Sequence, residues 1–126
     1  MAVMNLIQLT QLAEQTVAAT RKKLSAPLQA ASENVPVTCL DWPSDEMLGD
    51  EFEPDILGLF VGPAHGTPMD ESQGLPPHIL LFIGNLWDFA EADLGVFSDE
   101  VRLTYLHELG HYFGWDEEDL SARGLD

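Results

Sequence analysis

Two histidines four residues apart, His107 and His111, are the residues from which chemistry can first be argued. On an α-helix that spacing puts both imidazoles on one face, about one turn apart, where a single ion can meet both. Imidazole is a good zinc ligand, and two rings on a rigid helix reduce the ordering cost of binding. Glu108 follows the first histidine directly. It sits beside the metal position rather than on it, where its carboxylate can take a proton from water and hand it to a leaving amine. A divalent ion at that position brings the pKa of water toward ~7 and polarises a carbonyl. The run His107-Glu-Leu-Gly-His111 therefore predicts one Zn2+ per chain and metal-assisted hydrolysis of a peptide bond.

Two histidines leave a zinc site short of ligands. Gly114, three residues past His111, lets the chain turn sharply and bring a third donor back. Glu117, six beyond His111, stands where metzincin-type peptidases carry theirs, and Asp116 and Asp119 compete with it. His78 and His65 are donors from farther away. Tyr105, Tyr112 and His78 are nominal donors for an oxyanion. The plainer reading of the histidine pair is two hydrogen-bonded side chains of surface or core.

The elements that position these residues follow from apolar spacing. Leu6, Leu9, Ala13, Val17 and Leu24 recur at helical intervals, with Arg21, Lys22 and Lys23 toward the negative end, and Pro27 closes or kinks that helix. Val35–Leu40 reads as a strand, and Pro36 places it at an edge or at the strand's first residues. Asp41–Pro54 reads as an acidic surface loop. Asp55–Val61 is a second strand, in which Gly58 signals a bulge or close packing, and His78–Gly84 is a third. Leu86–Leu94 suits a short helix. Ser98 is the expected N-cap of the last helix, with Asp99 and Glu100 in its first turn and Gly114 at its end.

Composition sets the bounds. At 126 residues the chain is expected to be one domain, 1–126, with 45% hydrophobic residues and a single modest core. Its 22 acidic residues against 5 basic ones give a formal charge of -17, which repels a phosphate backbone and argues against nucleic acid. No stretch approaches the roughly 18 apolar residues of a membrane span. The N-terminus lacks a secretion pattern, and the one cysteine, Cys39, suits a reducing compartment, so a cytoplasmic protein is expected. Cys39 lies in an apolar run and reads as a buried, inert thiol.

The segment His107-Glu-Leu-Gly-His-Tyr-Phe-Gly-Trp-Asp-Glu-Glu-Asp-Leu120 resembles the signature of a small bacterial zinc-metallopeptidase family with a minimal zincin-like fold. Glu33–Val37, Asp55–Gly62 and Pro77–Phe82 match that family's strand segments in order, so the resemblance spans nearly the whole chain. It implies an α+β fold: an N-terminal helix, a small mixed sheet of three to four strands, and a C-terminal active-site helix packed beneath it. Carried over by motif, it implies His107, His111 and Glu117 as ligands and Glu108 as catalytic base, acting on a peptide or protein. An extended substrate would lie along an edge strand, for which His78–Ile83 is the expected candidate, with Gly62–Pro77 as a wall or lid. The competing reading is a zincin-fold module that binds metal or a protein partner without turnover. A weaker likeness, to the metal helix of a ribosomal-RNA-processing endonuclease family, conflicts with the charge of -17.

Overall fold

The computed structural model describes residues 5–62, 76–114 and 118. The first helix, α1, spans Leu6–Lys22. Asn5 starts it with a capping box: its side chain accepts from the Gln8 N–H at 2.8 Å, and the Gln8 side chain accepts from the Asn5 N–H at 3.1 Å. Leu9, Ala13 and Val17, each four apart, make the buried stripe. Pro27 neither closes nor kinks α1. It occupies the first turn of a separate helix, α2 (Ala26–Ser32), where a missing N–H leaves no intrahelical bond unmade.

The three strands are β1 (Val37–Leu40), β2 (Gly58–Val61) and β3 (His78–Phe82), arranged β1-β3-β2. β1 pairs parallel to β3, and β2 pairs antiparallel to it, so the sheet is mixed. The expectation that His78–Ile83 forms an edge is therefore overturned. β3 is the central strand, and its Ile79, Leu81 and Phe82 are fully buried. Strength of apolar character marks a strand covered on both sides and both edges, not an edge. Pro36 immediately precedes β1, an edge strand, and its carbonyl accepts from Ile79 N–H at 3.0 Å. The acidic stretch after β1 holds one helical turn, α3 (Asp45–Leu48), capped by the Ser44 hydroxyl.

Two helices complete the fold. α4 (Ile83–Phe89) begins directly at the end of β3, three residues before the expected Leu86. α5 (Leu94–Tyr112) begins five residues earlier than an N-cap at Ser98 would place it. The cap is Asp93, whose carboxylate accepts from Val96 N–H at 2.9 Å. The chain breaks just before it, at Glu91 (φ 53°) and Ala92 (φ 61°), so the helix has its cap before Ser98 is reached. Phe97, Val101, Tyr105 and Leu109 from α5 meet Leu9, Ala13 and Val17 from α1 and Ile79 and Leu81 from β3 in one apolar cluster. Helices α1, α4 and α5 thus cover the sheet, an α+β arrangement with the motif helix at its centre. Among the described residues no helix is long and apolar enough to cross a membrane.

Candidate metal centre

The last two turns of α5 carry His107, Glu108 and His111. His107 and Glu108 are half-buried and His111 is exposed. The two imidazoles lie 4.8 Å apart, centroid to centroid, at 83° to one another. One nitrogen from each ring and one Glu108 oxygen all fall within 4.8 Å of one another. Two ligands at about 2.1 Å on a tetrahedral ion sit roughly 3.4 Å apart, within a small side-chain adjustment of this arrangement. Two imidazoles beside a carboxylate suit a divalent ion of the zinc type. The position near the negative end of a helix favours a cation further. On donor chemistry and spacing, these residues fit a metal.

A close approach of strand to helix builds the cleft in front of them. Gly58, the first residue of β2, sits so near α5 that a Cβ there would lie 2.7 Å from the Thr104 methyl and 3.1 Å from the Leu80 carbonyl oxygen. Glycine is what lets β2 lie against the helix. The chain leading into β2 is pinned from the other side. Asn85, buried on α4, donates both amide hydrogens, one to the Pro54 carbonyl and one to the Ile56 carbonyl, each at 2.8 Å. The resulting cavity of about 360 Å³ runs between Ile56, Leu57 and Gly58 on one wall and Leu103, Thr104, His107 and Glu108 on the other.

The outer edge of β2 opens beside this cavity. Phe82 N–H donates to the Leu57 carbonyl at 3.0 Å, which makes Leu57–Phe82 a hydrogen-bonded pair of the antiparallel ladder. By alternation, Gly58 and Phe60 turn their N–H and C=O groups away from β3. Among the described residues no strand pairs with that edge.

The remaining sequence candidates divide sharply. His78 is not part of the cluster: its Nε2 lies 2.6 Å from the Thr38 hydroxyl on β1, one strand away on the far side from β2. Tyr105 is fully buried near Arg21 and Ser32, toward α1 and α2. Its hydroxyl makes no hydrogen bond of good geometry among the described residues. The Ser32 hydroxyl instead donates to the Gln29 carbonyl at 2.7 Å and accepts from Arg21 Nε at 3.3 Å. Tyr112 is buried against Phe60, ring centroids 6.0 Å apart. None of these three aromatic or imidazole groups lines the cleft. His65, Asp116, Glu117 and Asp119 lie outside the described residues, as do Trp115 and most of Gly62–Pro77. Gly114 ends α5 as expected, at φ +76° with its N–H donating to the His111 carbonyl at 3.0 Å.

Cys39 behaves as an inert thiol. Burial and then the nearby Glu14 carboxylate push its pKa up to about 11, so it stays protonated at neutral pH. Sequence reasoning missed Asn85, Thr104 and the apolar wall of Ile56, Leu57 and Leu103. An asparagine inside the apolar run from Ile79 to Leu86 was the available signal, because a buried amide must find partners.

Comparison with known proteins bears on the same residues. No curated protein matches the chain. The family described as Zincin-like metallopeptidase matches residues 32–125, from the end of α2 past the motif helix. That span takes in the whole sheet as well as both histidines, and on it the chain belongs to the zincin-like metallopeptidase family.

Proposed function

We propose that this chain is a zinc-dependent peptidase acting on short or unfolded peptides, with Glu108 as general base. The observation that carries this reading is the meeting of His107, Glu108 and His111 within 4.8 Å, the first two lining a cleft beside a strand edge that no other strand of the described residues pairs with. His107 and His111 would hold the ion, with Glu117 as third ligand by its spacing from His111. When bound, zinc supplies a Lewis acid that polarises the scissile carbonyl and makes water acidic enough to be deprotonated near neutral pH.

The chain's own residues do the rest. Gly58 and Phe60 offer outward backbone groups to which an extended peptide can add as a further strand. That pairing fixes the scissile bond in front of Glu108, and fixing reactants in place is itself a large part of a rate enhancement. Glu108 then accepts the proton of the attacking water and passes it to the leaving amine. The walls Ile56, Leu57 and Leu103 give the cleft an apolar side against which an uncharged side chain of the peptide can pack.

Two measurements together test this. Elemental analysis of purified protein should find one zinc per chain. A peptide-library assay should then find cleavage that the Glu108→Gln variant loses by about 10²–10⁴-fold while keeping its zinc. Protein that takes up no zinc from micromolar solution, or a Glu108→Gln variant that cleaves like wild type, would overturn the reading.

A further inference from the structure

The cleft is apolar where the segments that run into it are acidic. Its middle is apolar, walled by Ile56, Leu57 and Leu103. The segment that delivers Ile56 to the wall is the opposite. Every charged residue from 41 to 55 is acidic, and every one of them is exposed. Asp55 precedes the wall directly, and Glu53 and Glu51 stand two and four residues before it in a segment of turns that keeps them close in the chain. Along α5, Glu100 lies seven residues before His107, two turns away on the same face. Arg102 is five residues before His107, about 140° around the helix at 100° per residue, and so on another face. Beyond the histidines stands the exposed Glu118. The cleft is therefore an apolar slot set in a field of carboxylates, on a chain whose formal charge is -17.

We infer that the substrate is a positively charged, extended peptide segment carrying one uncharged apolar side chain that enters the slot between Ile56, Leu57 and Leu103. The inference rests on the peptidase reading for its chemistry, but its binding claim stands on the cleft alone. A charged side chain set against Ile56, Leu57 and Leu103 would give up hydration to apolar walls, which favours an apolar residue there. Asp55 lies three residues before Gly58, in the turn that leads into β2, and so at most about 10 Å from it. Lysines or arginines two to four positions from the apolar residue thus reach the acidic rim. A negatively charged peptide meets repulsion from the same carboxylates. Because the rim is exposed, its effect acts on encounter rate and selectivity and fades with salt.

The experiment uses two fluorescein-labelled heptapeptides with the same central leucine, one flanked by arginines and one by glutamates. Each is titrated into the full-length Glu108→Gln chain at about 0.05 M and about 0.5 M salt, conditions that span the change in screening length. The arginine peptide is expected to bind at least about tenfold more tightly at low salt, a gap that narrows at high salt. Neutralising Glu51→Gln, Glu53→Gln and Asp55→Asn together should erase most of that gap. Neutralising Glu14, Glu33 and Glu91 to Gln should leave it. Replacing the central leucine by aspartate should abolish binding. Equal binding of both peptides, or an equal loss with either set of three changes, overturns the inference and reduces it to nonspecific attraction. If the arginine peptide binds as expected but wild-type zinc-loaded protein never cleaves it, the peptidase reading fails while the recognition claim stands.

Discussion

The two edges of the sheet carry contrasting side-chain sets. At β1, a cavity of about 170 Å³ lies against α1, lined by Glu14, Val17, Ala18, Arg21, Val37 and Cys39. At β2, the larger cleft of about 360 Å³ lies against α5. Each holds a potentially reactive group beside a carboxylate: Cys39 near Glu14, and the histidine pair with Glu108. At β1 reactivity is suppressed, because burial first and the Glu14 carboxylate second both disfavour the thiolate. At β2 the carboxylate accompanies two imidazoles near the negative end of a helix, an arrangement that attracts a cation. The same pairing of side chains is silent or useful according to which charge the second group must carry.

The largest expected effect that would break this contrast is on metal content. His111→Ala should lower zinc affinity by more than the roughly 10–100-fold that second-shell changes cost, whereas Cys39→Ala should leave zinc content unchanged. Equal loss from both would mean that the two edges are coupled. Next comes Gly58→Val, which drives a side chain into the Thr104 methyl and the Leu80 carbonyl. It should destabilise the fold by about 1–3 kcal/mol, read as a fall in Tm, and should widen the cleft enough to weaken peptide binding. An unchanged Tm would mean that β2 does not depend on that close approach.

Asn85→Ala sharpens the comparison at β2 alone. It strips two carbonyls, Pro54 and Ile56, of their donor, at a cost of about 1–3 kcal/mol. Because it loosens a wall and not the chemistry, KM should rise more than kcat falls. An effect on kcat alone would assign Asn85 a different role. The smallest effect concerns β1. The Cys39 pKa is raised in the folded chain, from 9.0 to about 11, so the unfolded thiol ionises first as pH rises. Stability should be fully retained below pH 9.0 and should decline between there and about 11, a decline that Cys39→Ala removes. Thermal melts across that window, compared between wild type and variant, measure it.

Much of this architecture was legible because it depends on local patterning. The apolar spacing of Leu9, Ala13 and Val17 located α1, Pro36 pointed to an edge or a strand start at β1, and Gly58 to a bulge or close packing, of which the structure shows the close packing. What was not legible depended on partners distant in sequence. His78–Phe82 is central because β1 and β2 flank it, and its apolar run was a signal of this, outweighed by the length of the preceding connection. The start of α5 was misplaced because Ser98 and Asp93 are both good caps, and only the turn through Glu91 and Ala92 chooses between them. At the site, the helical interval between His107 and His111 foretold their proximity. The opposing wall came from α4 and the approach to β2, whose meeting through Asn85 spans 29 and 31 residues of chain.

α5 is at once the innermost element of the core and the bearer of the histidines. Phe97, Val101, Tyr105 and Leu109 anchor the same helix that presents His107 and His111. An ion that binds only the folded form therefore draws the whole folding equilibrium with it, by about 2.7 kcal/mol when free metal stands at a hundred times its dissociation constant. On the proposed reading, metal supply would set how long the chain survives as well as whether it works. Starvation for zinc would expose the protein to proteolysis, so that metal scarcity clears the idle molecules.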